Sequence, residues 1–142
     1  MPTVSSSKRT FLDTNVLVYT DDSRSVEKQQ KAIELVKLHR RHNTGVVSIQ
    51  VLQEYFASVT KKFKVSPEAA RRKVETLARF QVASPTVDNV LHAIDLHRVH
   101  NVSIWDALIL CMARQSGCAV LLTEDMNHGQ VIDGVRVVNP FL

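Results

Sequence analysis

The residues of this chain best suited to chemistry are four acids, each placed where a short apolar segment meets a turn. They are Asp13, Glu54, Asp106 and Asp125. If folding gathered these carboxylates from distant segments, they would repel one another and lose hydration, so the cluster would need a cation. Mg²⁺ and Mn²⁺ are hard ions that prefer oxygen ligands. The pattern therefore predicts a metal-dependent hydrolase that uses one or two such ions.

Asp13 follows the apolar pair Phe11-Leu12 and precedes Thr14-Asn15. Capping of the short helix that begins there would account for Asp13. It does not account for Asn15, because asparagine is a poor helix former. An Asp that binds the metal, with Asn15 holding that carboxylate or a bound water, accounts for both residues. We interpret Asp13 as a metal ligand and Asn15 as its support.

Glu54 and Asp106 each fit a structural role as well. Glu54 lies on the flank of an amphipathic helix, where an exposed glutamate is common, although no Lys or Arg stands one turn away to pair with it. Ser103-Ile104-Trp105-Asp106 has the form of a capping box. The apolar run after Asp106 predicts a buried central helix, so this Asp could cap the helix and still face the site.

Glu124 and Asp125 end the most apolar of the predicted strands. Adjacent residues at a strand end point to opposite sides, so one of the two is expected to face the metal. A polar turn leading into Asn127-His128-Gly129 is an alternative explanation for both acids. Spacing leaves the choice between them open.

Short apolar strands alternate with helices along the chain, and no repeat or Pro/Gly-rich linker divides it. We predict strands at 10–12, 45–48, 81–83, 119–123 and 136–138, and helices at 26–41, 50–62, 67–80, 87–99 and 104–115. This alternation predicts an α/β domain with a parallel sheet covered on both faces. Ligands of such sheets bind beyond the carboxyl ends of the strands, where Asp13 and Asp125 are found.

The chain carries a formal net charge of +4, and its basic residues are unevenly spread. A charged run is usually a solvated helix face. Beside an acidic metal site, however, Lys and Arg would hold the phosphates of a polyanionic substrate. The candidates for such contacts are Arg40, Arg41, Lys61, Lys62, Lys64, Arg71 and Arg72.

The length of 142 residues is that of one domain with a core of its own. No apolar run approaches the ~20 residues that cross a bilayer, and the polar stretch from Met1 to Arg9 has no signal core. Cys111 and Cys118 lack the spacing of a zinc site and are expected to be buried, reduced thiols. We expect a cytoplasmic protein without a membrane segment.

Four segments together resemble the PIN-domain ribonucleases, and most of all the VapC-like toxins of type II toxin–antitoxin modules. They are Phe-Leu-Asp-Thr-Asn-Val-Leu-Val-Tyr (11–19), Gln-Val-Leu-Gln-Glu-Tyr-Phe (50–56), Ile-Trp-Asp-Ala-Leu-Ile (104–109) and Leu-Leu-Thr-Glu-Asp-Met-Asn-His-Gly (121–129). The closing Val-Val-Asn-Pro-Phe (137–141) is similar to the tail of many such toxins. One motif alone would be weak evidence, but all four occur in the family's order.

The resemblance implies a three-layer α/β/α sandwich with a short parallel sheet of four to five strands over residues 10–142, and we expect residues 1–9 to form a flexible lead. It implies an Mg²⁺- or Mn²⁺-dependent endoribonuclease whose acids are Asp13, Glu54, Asp106 and Asp125. Asn15 and Thr123 would support these acids. The resemblance also selects Asp125 over Glu124, which is left a supporting role. A homodimer and a small antitoxin that inserts a segment into or over the site are further implications, and the basic residues become candidates for RNA binding.

Other classes of protein compete with this interpretation. A non-catalytic RNA-binding PIN module would not need the intact set of acids, and a housekeeping PIN nuclease would have no antitoxin. A phosphoacceptor receiver domain would need a central strand ending in Asp, whereas the strand at 81–83 runs into Ser84-Pro85. A haloacid-type phosphatase would need Asp-x-Asp after the first strand, which instead gives Asp13-Thr14-Asn15.

Overall fold

The computed structural model describes residues 8–142 and shows a mostly parallel sheet flanked by helices. The strands are β1 (Thr10–Leu12), β2 (Gly45–Ser48), β3 (Gln81–Ala83), β4 (Val120–Leu122), β5 (Val131–Ile132) and β6 (Val135–Val138). The helices are α1 (Thr14–Tyr19), α2 (Val26–Arg41), α3 (Ile49–Lys62), α4 (Pro67–Leu77), α5 (Val87–His100) and α6 (Ile104–Gln115). The predicted α/β fold class is confirmed.

The sheet brings the ends of β1 and β4 together. Its strand order is β3-β2-β1-β4-β6-β5, so β1 lies at the centre, parallel to both β2 and β4. Leu12 of β1 stands opposite Leu122 of β4. The backbone N–H of Asp13 continues this ladder by donating to the carbonyl of Leu122 at 3.1 Å. Asp13 and Thr123, which follow these leucines, are therefore neighbours at the carboxyl edge of the sheet.

The sheet has one strand more than the four to five that were predicted. The short strand β5 pairs antiparallel with β6 through a two-residue turn. Asp133 and Gly134 form this turn with φ values of 54° and 80°. Positive φ at both central residues is the geometry that an Asp-Gly pair favours in tight hairpins. Ile132 and Val135 flank the turn, and the burial of these two side chains stabilises the two-residue strand.

Hydroxyl caps fix where several helices begin. Ser48, Ser66 and Ser103 each accept a hydrogen bond from the backbone N–H three residues later, as N-cap residues do. Thr86 forms a reciprocal capping box with Asn89 at the start of α5. The helix α6 that follows Ser103 is largely buried and lies against β2, β4 and β6, so its first turn has a fixed position at the sheet edge.

A hydrogen bond connects the residue before β1 to the end of α6: Arg9 donates from Nη1 to the carbonyl of Ser116 at 2.8 Å. The rest of the lead that was predicted at 1–9, residues 1–7, lies outside the described part of the chain. Cys111 and Cys118 are both buried and free. In residues 8–142, no helix has the length and the apolar character needed to cross a membrane.

Candidate active site

A cleft of about 400 Å³ opens at the carboxyl ends of β1 and β4. All four predicted acids line it, and each comes from a different element. Asp13 follows β1, Glu54 lies in α3, Asp106 lies in the first turn of α6, and Asp125 follows β4. The fold therefore gathers into one cleft four carboxylates that are far apart in the sequence.

Asp13 is the most buried of the four, with 5% of its surface exposed. It is the N-cap of α1, and its Oδ1 accepts from the backbone N–H of Thr14 at 2.7 Å. Its Oδ2 accepts from the hydroxyl of Thr123 at 2.8 Å. Burial raises the pKa of Asp13 to about 6, against the effect of these two hydrogen bonds, and the charges of Asp125 and Asp106 add to the rise. Asp13 thus caps a helix and lines the cleft at the same time.

Thr123 and Asn15 tie the end of β4 to the start of α1. The Thr123 hydroxyl is fully buried and accepts from Asn15 Nδ2 at 2.9 Å and from the backbone N–H of Asp125 at 3.1 Å. Asn15 Nδ2 also donates to Asp125 Oδ2 at 3.0 Å. Since Thr123 donates its own proton to Asp13, one hydroxyl orients two of the acids.

Glu54 and Asp106 stand on the helical side of the cleft. Glu54 is exposed, and its Oε1 accepts from the Thr14 hydroxyl at 2.9 Å. Partial burial raises the pKa of Asp106, a hydrogen bond with Ser103 opposes this, and the charges of Asp125 and Glu54 raise it further. The carboxylates are therefore close enough to destabilise one another's charged forms.

Glu124 differs from the four acids because its charge is compensated. Lys28 Nζ donates to Glu124 Oε2 at 3.0 Å, and the Tyr19 hydroxyl donates to the other carboxylate oxygen. Lys28 also lies 5.0 Å from the centre of the Tyr19 ring. Glu124 still borders the cleft, but it is held as one half of an ion pair.

The predicted basic residues are only partly brought to the cleft. Among the seven candidates, Lys62 alone lines it. Arg40 and Arg41 end α2 just before β2 begins, so they lie at the amino edge of the sheet, away from the acids. Arg71 forms an ion pair with Glu75 at 2.5 Å. The remaining three are exposed and do not line the cleft: Lys61, Lys64 and Arg72.

Several residues that line the cleft were not predicted as site residues, and Arg24 and Trp105 are two of them. Arg24 lines the cleft, and its side chain forms two hydrogen bonds with Asp22, from Nε at 2.9 Å and from Nη2 at 3.1 Å. Trp105 precedes Asp106 and lines the cleft as well. Arg24 stands alone in a polar loop, so no local pattern marks it. The position of Trp105 beside an expected ligand was the available signal.

The donor set of the cleft suits a hard divalent ion. Its acids offer oxygen atoms, and neither His nor Cys lines it, which fits Mg²⁺ or Mn²⁺ better than zinc. Within residues 8–142, however, no three Asp, Glu, His or Cys side chains stand in a metal-binding arrangement. Asp13, Glu54 and Asp125 accept hydrogen bonds from neighbouring Thr and Asn side chains. Each of these three carboxylates thus has at least one oxygen that already accepts a hydrogen bond from the protein.

A family model described as PIN domain matches residues 10–132. The chain belongs to the PIN domain family. Solved structures of similar fold include a toxin–antitoxin complex from Klebsiella pneumoniae, with 20% identity, a TM-score of 0.70, and coverage of 92% of this chain and 97% of the other. Another is the DNA-bound VapBC from Salmonella typhimurium, with 20% identity, a TM-score of 0.67, and coverage of 92% and 96%.

A third structure is Mycobacterium tuberculosis VapC20, a toxin that cleaves the sarcin–ricin loop, with 19% identity, a TM-score of 0.64, and coverage of 79% of this chain and 86% of the other. Comparison with curated proteins gives no match. At these identities, the likeness to the solved structures shows a shared fold. The PIN domain described above thus has the architecture of the VapC toxins, with its acidic cleft at the carboxyl edge of the sheet.

Proposed function

We propose that this PIN domain is a divalent-metal-dependent endoribonuclease that acts as the toxin of a toxin–antitoxin pair. The observation that carries the proposal is the convergence of Asp13, Glu54, Asp106 and Asp125 on one cleft. Among residues 8–142, none of the four forms an ion pair. Uncompensated carboxylates would repel an RNA phosphate, so the arrangement makes chemical sense when a cation stands between them.

Asp13, Asp106 and Asp125 would hold one or two Mg²⁺ or Mn²⁺ ions, with Glu54 as a further ligand. When bound, the cation would supply a positive charge that acidifies water and stabilises negative charge on the phosphate. The protein's own part is to hold the carboxylates in place. Thr123 and Asn15 do so through a buried hydrogen bond to Asp13, a part-buried one between themselves, and an exposed one from Asn15 to Asp125. Lys62 and Arg24 line the same cleft, and their cations would attract the RNA backbone.

This proposal predicts the chemistry of the product ends. The chain has six histidines, and none of them lines the cleft. The His-dependent attack by the RNA 2′-hydroxyl is therefore not available, and a water is expected to attack the phosphodiester. Cleavage of structured RNA with Mn²⁺ or Mg²⁺, and not with EDTA, should leave 5′-phosphates and 3′-hydroxyls. Mapping the ends decides the matter, because 2′,3′-cyclic phosphates would refute the water-attack mechanism.

If neither Mn²⁺ nor Mg²⁺ supports cleavage, the affinity for RNA measured in EDTA tests the alternative function. RNA affinity that persists in EDTA, without cleavage of any RNA tested, would favour a non-catalytic binding module.

The role as a toxin has its own test in living cells. Expression of the wild-type chain should arrest bacterial growth, a co-expressed antitoxin should relieve the arrest, and loss of the Asp13 carboxylate should prevent it.

We further propose that the chain forms a homodimer through α5. Four apolar side chains are exposed on one face of this helix at the spacing of successive turns: Val87, Val90, Leu91 and Ile94. An unpartnered apolar stripe of this kind is typical of an interaction surface. We expect Leu91→Glu to shift the wild-type dimer to a monomer in sedimentation velocity, while the matched variant Asp95→Glu on the same helix should not. A monomeric wild type at micromolar concentration would contradict this.

A further inference from the structure

Trp105 is the single tryptophan of the chain, and it is 62% exposed. Tryptophan is usually well buried, because its large apolar surface gains much from leaving water. A lone exposed apolar residue would need no explanation on an ordinary surface. This one lines the acidic cleft and is the immediate neighbour of Asp106. An aromatic face is thus presented to solvent at the edge of the proposed catalytic site.

The backbone of Trp105 is held firmly. It is the second residue of α6, whose start is capped by Ser103 accepting from the Asp106 N–H at 3.0 Å. Two residues later the helix enters the core, where Ala107 and Leu110 are fully buried. Gln50 lines the same cleft and donates from Nε2 to the Trp105 carbonyl at 3.5 Å. The backbone of Trp105 is therefore fixed at the capped start of α6, directly beside Asp106.

A second group of cleft residues carries positive charge. Lys62 is exposed, and within the described part of the chain it forms no ion pair. Arg24 pairs with Asp22, and its guanidinium carbon lies 5.1 Å from the centre of the Phe63 ring. Hydrogen bonds from Arg24, and in addition the charge of Lys62, hold the pKa of Asp22 below its ordinary value. Lys62 is thus close to Asp22 and free to bind a phosphate.

We propose that Trp105 is a stacking platform for one unpaired RNA base next to the cleaved phosphodiester, and that Lys62 holds a neighbouring phosphate. The inference rests on the proposed function and assigns two residues of the cleft to binding the RNA beside the acids. Every base has a π-face that stacks on an aromatic side chain, but in a duplex both faces are already covered by neighbouring base pairs. Trp105 would therefore engage a base in an unpaired segment of the RNA, not a base within continuous double helix.

The single tryptophan makes the contact directly measurable. In the Asp13→Asn background, which should leave the RNA uncut, the indole fluorescence reports on Trp105 alone. Three probes of equal length separate stacking from charge: an unstructured RNA, the same strand with abasic positions, and its duplex. We expect the unstructured RNA to quench the fluorescence at saturation, and the abasic strand and the duplex to leave it nearly unchanged.

Substitutions then separate the roles of Trp105 and Lys62. Trp105→Ala should weaken binding of the unstructured RNA about ten-fold, equivalent to about 1.4 kcal/mol, and leave binding of the abasic strand unaltered. Trp105→Tyr should recover most of the loss. Lys62→Ala should weaken binding of both strands equally and reduce the salt dependence by about one phosphate contact. Anisotropy of labelled RNA measures all of these variants.

Three results would overturn the stacking site: equal affinity for abasic and intact RNA, an unchanged affinity in Trp105→Ala, or a change of oligomeric state in that variant. The last would show that Trp105 packs against a second protein chain. Because the readout is binding, it is independent of cleavage. Base-dependent quenching without cleavage by the wild type would count against the nuclease and support the stacking site. Cleavage without quenching would support the nuclease and count against the stacking site.

Discussion

Asp13→Asn should abolish RNA cleavage and yet make the metal-free protein more stable at about pH 8. The amide has nearly the shape of the carboxylate and can still accept a hydrogen bond from the Thr14 N–H, so the fold should persist. It lacks the negative charge that would hold a cation. We expect the rate of cleavage to fall by at least about a hundred-fold, a typical cost of removing one electrostatic group from an active site.

The gain in stability follows from the burial of Asp13. Its pKa is about 6 in the folded chain and 3.8 when unperturbed, so ionisation favours the unfolded state. The stabilisation that protonated Asp13 gives the folded chain is fully present below its unfolded pKa. It is lost as the pH rises through its folded pKa. From the two values, the metal-free wild type should lose about 3 kcal/mol between about pH 4 and pH 7 through this one group. Asp13→Asn does not titrate and should not show this loss.

Adding saturating Mn²⁺ should make the wild type more stable than Asp13→Asn. At a thousand times its Kd, an ion that binds the folded state stabilises that state by about 4.1 kcal/mol, which exceeds the loss of about 3 kcal/mol through Asp13, and the variant should lose most of this gain. Denaturant unfolding in EDTA and in Mn²⁺, at both ends of the pH range, measures the two effects. Asp95→Asn, at an exposed position on α5, is the matched control and should show neither effect. A wild type whose stability does not respond to Mn²⁺ would contradict the metal site.

The sequence predicts most of the fold because its signals are local. Hydroxyl caps such as Ser66 and Ser103 precede apolar or amphipathic runs, and the buried strand ahead of Asp13 is apolar throughout. The same holds for the carboxyl-edge position of Asp13, because parallel strands place their ends together. The missed strand β5 is only two residues long, and its sole local signal was the Asp133-Gly134 turn.

The rest depends on contacts between distant segments. Glu124 is neutralised by Tyr19 and Lys28, more than ninety residues earlier, and no spacing rule connects them. Arg40 and Arg41 looked like phosphate contacts, yet the direction of α2 carries them to the opposite edge of the sheet. Of the seven predicted cations only Lys62, at the end of α3, lines the cleft, whereas Arg24 comes from a loop outside the charged clusters.

Thr123→Val should be the most damaging change that leaves every acid in place. The buried hydroxyl donates to Asp13 and accepts from Asn15 and from the backbone of Asp125. Valine has the same shape but no hydroxyl, so Asp13 Oδ2 loses its donor and the Asp125 N–H loses its acceptor, while Asn15 Nδ2 keeps only Asp125 Oδ2. We expect a loss of about 2–3 kcal/mol in the free energy of unfolding near neutral pH, and cleavage about ten- to a hundred-fold slower. Denaturant unfolding and single-turnover cleavage measure the two losses.

The pH dependence should identify the cause of the slower cleavage. The hydrogen bond from Thr123 lowers the pKa of Asp13, so its removal should raise that pKa above about 6. The acidic limb of the metal-dependent pH–rate profile should therefore move to higher pH in Thr123→Val than in the wild type. An unchanged profile with slower cleavage would mean that Thr123 does not act through the ionisation of Asp13.

Thr123→Ser is the control that separates hydrogen bonding from packing, because the two variants lose opposite parts of the side chain. Serine keeps the hydroxyl and loses the methyl group, whereas valine keeps the volume and loses the hydroxyl. If Thr123 serves the site by orienting Asp13 and Asp125, serine should retain most of the cleavage activity and the wild-type pH profile. If Thr123 only fills the core behind the sheet edge, the order of the two variants should be reversed, with valine the more active and the more stable.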